Sequence, residues 1–200
     1  MSGVTLRDGD LVVERSANEL DELAVAFSDV LSELGIEHVF IAGYLAILTG
    51  RARSTEGIDV LIERLSRSET TRLVEKLEAE DYWGPAMPLA EMYGTLSAGT
   101  NIWVAPTEQM TPHLEVKFPT DEFDRASLSS SLDAHIAGET IPVGELELQI
   151  AYKLHLGSRT DFEDAAHLYT LFRESLRTSR LESWVEKLGV SDQYARLESI

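Results

Sequence analysis

One stretch of the chain, residues 38–63, constrains the fold more than any other part of the sequence. An apolar run reaches Gly43, a short apolar segment continues to Gly50, and a basic, hydroxyl-rich connector leads to a second β-branched run. Glycine is favoured where a strand turns sharply into a helix, and short β-branched runs bounded by turn residues are typical of buried strands. The stretch therefore predicts a strand, a short helix and a second strand inside an α/β domain.

The rest of the sequence predicts further strands and helices around this unit. Ser16 with Glu19, and Ser66 with Glu69, have the spacing of helix capping boxes and precede apolar residues at helical period. Trp83 follows the second of these helices, and we expect it to fill the core beneath the sheet. Strands are predicted over residues 36–41, 58–62, 101–105 and 113–118, and helices over 44–49, 88–97, 121–131 and most of the chain after 144.

This order of elements predicts the fold class. Residues 1–143 alternate between strand and helix patterns, whereas residues 144–200 are helical throughout. We expect a mixed, mostly antiparallel sheet with flanking helices, and a C-terminal helical region packed on it to form one compact unit.

Charge and composition restrict the classes of function. The chain has 35 acidic and 17 basic residues, a net charge of −18, and no cysteine. Such a field repels phosphates, so we expect no DNA binding. The acidity fits either a basic partner protein or a solvated surface suited to the high salt of a halophilic cell, where charges are screened. With no long apolar span and no signal-peptide pattern, we predict a cytoplasmic protein without a membrane segment.

Candidate chemistry starts with carboxylates on the predicted strands. Alternate residues of a strand share a face, so a metal site at Asp59 needs a second carboxylate two residues away. Position 57 holds glycine instead, and Glu56 alternates to the opposite face unless a bulge at Gly57 redirects it. Glu115, on a later strand, is the remaining carboxylate candidate. The five histidines lack ligand spacing with one another, so the sequence predicts no zinc site.

Other polar candidates each have two interpretations. Gly43 before a helix is suited to phosphate binding by free N–H groups, or it simply makes the turn. Arg51 and Arg53 would contact phosphates or pair at the surface with Glu56. Lys153, on an apolar helix face, would bind a ligand or extend its amine to solvent along that face.

The stretch resembles the core motif of the nucleotidyltransferase superfamily (the DNA polymerase β-like fold), and within it small prokaryotic proteins related to AbiEii-type toxins and minimal nucleotidyltransferases. Those proteins have a strand, a Gly-Gly or Gly-Ser pair, a short helix, an Arg-x-Thr connector and an Asp-x-Asp strand, with a third carboxylate on a later strand. Ala42-Gly43 stands at the pair, Arg53-Ser54-Thr55 at the connector, Gly57-Ile58-Asp59 at Asp-x-Asp, and Glu115 at the third carboxylate. The resemblance covers roughly residues 17 to 175.

The resemblance implies transfer of a nucleoside monophosphate from an NTP to a protein or RNA hydroxyl, using Mg²⁺. Asp59 and Glu115 would be the catalytic, metal-binding residues. The nucleotide would contact a set of residues from the glycine turn, the connector and a C-terminal helix: Ala42, Gly43, Tyr44, Arg53, Thr55 and Lys153.

A second hypothesis follows from the departure at Gly57, which removes a metal ligand. In it the chain is a catalytically inactive binding or regulatory module of a toxin–antitoxin or defence system, with a cognate toxin or antitoxin as partner. Gly57 favours this hypothesis, whereas the retained Asp59 and Glu115 favour the enzyme.

Overall fold

The computed structural model describes residues 3–52 and 55–200, and these form a mixed α/β fold. The strands are β1 (Val4–Arg7), β2 (Asp10–Val13), β3 (His38–Ile41), β4 (Gly57–Ile62), β5 (Tyr82–Trp83), β6 (Ile102–Pro106), β7 (His113–Lys117), β8 (Leu132–Ile136) and β9 (Glu139–Val143). The helices are α1 (Glu19–Glu33), α2 (Gly43–Leu48), α3 (Arg67–Ala79), α4 (Met92–Ser97), α5 (Glu122–Ser129), α6 (Leu146–Leu156), α7 (Arg159–Phe172), α8 (Thr178–Leu188) and α9 (Ser191–Glu198).

The described strands form one sheet in the order β1-β2-β8-β9-β3-β4-β7-β6-β5. At its centre β4 runs antiparallel to β3 and parallel to β7. The predicted fold class, a mixed sheet with flanking and C-terminal helices, is therefore confirmed.

The two faces of β4 have different surroundings because its side chains alternate. Ile58, Val60 and Ile62 lie in the main hydrophobic core. Leu61 lies on the opposite face in a small cluster with β3 residues and Leu128 of α5. Asp59 shares the face of Leu61, so the sequence pattern places this carboxylate away from the main core.

The predicted cap of helix α1 differs from the structure. Helix α1 is capped by Asn18 with Asp21, not by Ser16 with Glu19, because the Asn18 side chain accepts the N–H of Asp21 and Asp21 accepts that of Asn18. The predicted box of Ser66 with Glu69 at α3 is confirmed.

The prediction for Trp83 is wrong. In the two-residue edge strand β5 the alternation directs Tyr82 into the core, so Trp83 is 37% exposed. Its indole Nε1 donates to the Gln109 carbonyl at 2.8 Å.

The C-terminal helices pack on the sheet domain. Apolar side chains of α6 to α9 belong to the same hydrophobic core cluster as those of the strands. The boundary after residue 143 stays a prediction, although β9 ends there and α6 begins at Leu146. In the described part of the chain, every helix is too short or too polar to cross a membrane.

Candidate functional site

The predicted carboxylates lie side by side on neighbouring strands. In the parallel ladder of β4 and β7, Asp59 is the register partner of Glu115, and Gly57 that of His113. Residues paired in register place their side chains on the same face of a sheet. Asp59 and Glu115 are both half-buried, so the face carries two accessible carboxylates next to a position without a side chain.

The carboxylate of Glu115 lies over Gly57. A β-carbon added at Gly57 would be 2.6 Å from Oε1 of Glu115 and 3.2 Å from Nε2 of His113. The Nδ2 of Asn101 donates to Glu115 Oε2 at 2.5 Å. The space that a side chain at position 57 would use is thus taken by Glu115, and Asn101 holds the carboxylate in place.

His113 is buried beneath an aromatic ring at this site. Its side chain is 2% exposed and stacks on Trp103, with ring centroids 4.0 Å apart and 20° between the planes. Its Nδ1 lies 3.1 Å from the Met110 carbonyl oxygen. Its Nε2 lies 3.6 Å from Glu115 Oε1, and no described residue forms a hydrogen bond with it.

The turn between β3 and α2 is built differently from the prediction. The backbone of Ala42, not that of Gly43, has positive φ, with φ 60° and ψ −126°. The Ala42 N–H donates to Oε1 of Gln149 on α6 at 2.9 Å. One of the N–H groups expected to contact phosphate is therefore already hydrogen-bonded inside the protein.

Tyr44 lies in the core. Its side chain is fully buried, and its hydroxyl donates to Asp21 at 2.9 Å. Burial, together with the charge of Asp21, raises the pKa of Tyr44 far above its usual value. Asp21 is also paired with Arg15 at 2.5 Å. Only the backbone of Tyr44 is left for a nucleotide contact.

Lys153 belongs to a buried ion cluster. Its Nζ lies 2.7 Å from Asp161 and 3.0 Å from Asp164, both on α7. Burial opposes ionisation of Asp161, but hydrogen bonds from Lys153 and Ser158 outweigh it, so the pKa of Asp161 is lowered. The lysine charge is thus neutralised within the fold.

Arg51 enters the same cluster and ties the end of α2 to α7. It pairs with the fully buried Asp164 and, at 2.7 Å, with Glu163. The structure therefore gives Arg51 partners on α7 that neither interpretation from the sequence had named.

The connector is described only in part. Thr55 Oγ1 donates to the Gly57 carbonyl at 3.1 Å and lines a cleft of about 450 Å³ with the start of α1. Arg53 lies outside the described residues, so its predicted contact with a nucleotide stays a prediction.

The donor set does not fit the two-ion Mg²⁺ site that the resemblance implies. Mg²⁺ requires nearly octahedral oxygen ligands, and a two-ion site requires carboxylates that bridge both ions. In residues 3–52 and 55–200, no group of three or more histidine, aspartate or glutamate side chains is arranged to hold a metal ion. The Glu115 carboxylate is instead directed to Asn101 and lies over Gly57.

Sequence reasoning missed the residues that surround Glu115. His113 lies two residues before Glu115 on β7, and Trp103 on β6 is the register partner of Glu115. Both side chains therefore face the same side of the sheet as Glu115. The spacing His-x-Glu in a predicted strand was the one available signal. No sequence signal indicated Asn101 or Gln149, because each forms its hydrogen bond with a residue that is distant in the sequence.

Solved structures match this chain across most of its length. An antigenic nucleotidyltransferase-like protein from Paracoccidioides brasiliensis is 20% identical, with a TM-score of 0.58, over 92% of this chain and 94% of that chain. The antibiotic-resistance factor ANT(2'')-Ia in solution is 15% identical, with a TM-score of 0.51, over 91% of this chain and 97% of that chain. A crystal structure of ANT(2'')-Ia in complex with adenylyl-2''-tobramycin is 13% identical, with a TM-score of 0.50, over 84% of this chain and 96% of that chain.

These likenesses show the fold alone, because every identity is low. The chain has a nucleotidyltransferase-like fold. No protein-family model and no curated protein sequence matches it. The finer resemblance to AbiEii-type proteins stays a prediction.

Proposed function

We propose that this chain is a catalytically degenerate nucleotidyltransferase-like protein that acts as a binding or regulatory module. The observation that carries the proposal is the place of the Glu115 carboxylate, whose Oε1 lies 2.6 Å from where a β-carbon at residue 57 would be. A site for nucleotidyl transfer needs carboxylates that share metal ions with the triphosphate. Here the carboxylate expected at residue 57 is missing, and the carboxylate of Glu115 is directed into the space left by it.

The groups expected to hold the nucleotide support the same conclusion. The N–H of Ala42 is bound to Gln149, and Lys153 is held by two carboxylates. A triphosphate would have to replace these contacts, and breaking a buried ion pair is strongly unfavourable. The charged and polar groups near the turn therefore contribute to the fold.

The class of partner follows from charge and resemblance. A net charge of −18 attracts a basic protein surface and accelerates its encounter with the chain. The resemblance to AbiEii-type proteins indicates the cognate member of a toxin–antitoxin or defence pair. We expect this partner to be basic, and we expect its association to weaken with salt.

A transfer experiment tests the proposal. The purified chain is incubated with each labelled NTP and Mg²⁺, together with protein and RNA extracts. We expect the same background labelling from wild type, from Asp59→Ala and from Glu56→Ala, which removes an exposed carboxylate just before β4. Labelling by wild type and Glu56→Ala that disappears in Asp59→Ala would overturn the proposal.

The second candidate is transfer of a nucleoside monophosphate to a protein or RNA hydroxyl. One observation favours it: Asp59 and Glu115 are retained and are paired in register. In this candidate the two carboxylates would hold a single Mg²⁺ with the NTP. This candidate requires labelling that disappears in Asp59→Ala, which is the result that would overturn the first proposal.

A further inference from the structure

Trp83 and Met110 form an exposed apolar patch at one edge of the sheet. In the described part of the chain four large apolar side chains are exposed, and these two are 37% and 59% exposed. Strand β5, which carries Trp83, is the last strand of the sheet. The Trp83 Nε1 donates to the carbonyl of Gln109, the residue before Met110. Tryptophan and methionine are enriched at protein interfaces, so the patch is a candidate contact surface.

Both loops that carry the patch are held in place. Gly84 follows Trp83, and a β-carbon at Gly84 would collide with the carbonyl oxygen of Met87, so this loop folds closely on itself. On the other loop the Met110 carbonyl oxygen lies 3.1 Å from Nδ1 of the buried His113. A surface that is already ordered loses little conformational entropy when it binds a partner.

The apolar patch is surrounded by carboxylates. A cleft of about 470 Å³ beside Trp83 is lined by residues 82–89 and by Glu78. The carbonyl of Asp81 accepts the N–H of Thr107 at 2.7 Å, which brings Asp81 next to the loop that carries Glu108. These three acidic side chains are exposed.

The charge around the patch is one-sided. Residues 77–116 contain six acidic residues and no lysine or arginine. Lys76, just before this stretch, is paired with Glu33 and Glu80. The acids around Trp83 therefore set a negative local potential, which a basic partner would complement.

This chemistry selects one class of occupant. A second copy of the chain would bring the same acids against the patch, and like charges in contact cost several kcal/mol. Nucleic acid is repelled for the same reason, through its phosphates. A protein segment with basic side chains next to an apolar one matches both the charge and the patch.

We propose that the surface formed by Trp83, Met110, Glu78, Asp81 and Glu108 binds a basic segment of a partner protein. An aliphatic or aromatic side chain of that segment contacts the apolar patch, and its lysine or arginine side chains face the acids. The inference rests on the proposed binding function and deepens it, because it states where the basic partner is bound.

Selection from a displayed library of random twelve-residue peptides tests the surface. The full chain is immobilised, and the peptides that it enriches are sequenced. We expect enriched peptides to combine lysine or arginine with an aliphatic or aromatic residue. Fluorescence anisotropy of one enriched peptide, carrying a dye label, then measures its affinity, which should fall as KCl is raised.

Variants of the surface locate the bound peptide. We expect Trp83→Ala, Met110→Ala and Glu108→Lys each to lower the affinity by about tenfold or more. Leu156→Ala is the matched apolar control, since Leu156 is 49% exposed at the end of α6.

Glu174→Lys is the matched charge control, at an exposed position after α7. Both controls should stay within about twofold of wild type at a salt concentration that screens distant charges. Circular dichroism checks the fold of each variant, and Met110→Ala and Glu108→Lys keep the test decisive if Trp83→Ala is misfolded.

Three results would overturn the proposal: no enrichment over the bare support, enriched peptides without basic residues, or equal affinity for wild type and the three surface variants. Peptides that bind with equal affinity to wild type and these variants would place binding elsewhere and leave the proposed binding function standing. Transfer activity that is lost in Asp59→Ala would overturn that function without changing the peptide result, so the two failures are distinguishable.

Discussion

At position 57 the lack of a side chain leaves space for the Glu115 carboxylate of the neighbouring strand β7. The Glu115 side chain extends over Gly57 and is bound there by Asn101. A residue with a β-carbon at position 57 requires Glu115 to move. The glycine therefore lacks the carboxylate that the resemblance places at this position, and it leaves the space that the Glu115 side chain occupies.

Gly57→Asp should destabilise the protein by about 1–3 kcal/mol, since it displaces Glu115 from Asn101 and adds a like charge beside it. The cost should fall in a Glu115→Gln background, because the repulsion is removed. Urea unfolding of the single and double variants measures this coupling. Identical costs in both backgrounds, or Mg²⁺-dependent transfer by Gly57→Asp, would show that Glu115 does not restrict the site.

Ala42 is strained in the turn before α2. Its φ of 60° and ψ of −126° are poorly tolerated by a residue with a β-carbon. Relief of strain of about 1–3 kcal/mol exceeds the entropy cost of glycine, about 0.5–1 kcal/mol. We expect Ala42→Gly to stabilise the fold by about 1 kcal/mol in urea unfolding. Ala79→Gly, exposed at the end of α3, should instead destabilise it; the same sign for both would contradict the strain argument.

At the scale of elements, arginines attach α8 to the start of α6. Glu145 is 1% and Glu147 3% exposed, and Arg177 contacts both while Arg180 contacts Glu145. Burial opposes ionisation of Glu147, but hydrogen bonds from Arg177 outweigh it, so the pKa of Glu147 is lowered. The pair therefore adds stability that depends on pH.

The sign of this pH dependence follows from the lowered pKa of Glu147. Glu147 contributes stability above its unfolded pKa, about 4.3, and this is lost as pH falls through the folded value. Arg177→Ala should cost about 1–3 kcal/mol at neutral pH, since it leaves a buried carboxylate with fewer donors. The difference from wild type should shrink below about pH 4. Urea unfolding at several pH values checks this, with the exposed Arg173→Ala as control; a constant difference across pH would contradict it.

The local sequence pattern predicted most helices and strands, but it did not predict which elements distant in the sequence pack together. The periodicity of residues 36–41, 58–62 and 113–118 corresponds to β3, β4 and β7. The parallel pairing of β2 with β8 joins segments more than a hundred residues apart, and no local signal specifies such a partner. For the same reason the Lys153 cluster was missed, since its acids matter only once α7 packs against α6.

At the scale of the whole molecule, the dominant property is negative charge. Self-repulsion at a net charge of −18 opposes the compact state and is screened by salt. We expect the melting temperature to rise through molar KCl by about 2–4 °C for each kcal/mol of repulsion removed. Differential scanning calorimetry measures it, with an uncharged osmolyte as control. A flat response would contradict the interpretation of the surface as adapted to high salt.

The most direct test of the account is the position of the Glu115 carboxylate when Mg²⁺ and a non-hydrolysable NTP are supplied together. A crystal structure under these conditions should show Glu115 still bound to Asn101 above Gly57, with no pair of Mg²⁺ ions between Asp59 and a triphosphate. Two Mg²⁺ ions bridging Asp59, Glu115 and the triphosphate would contradict the account and establish a working transfer site.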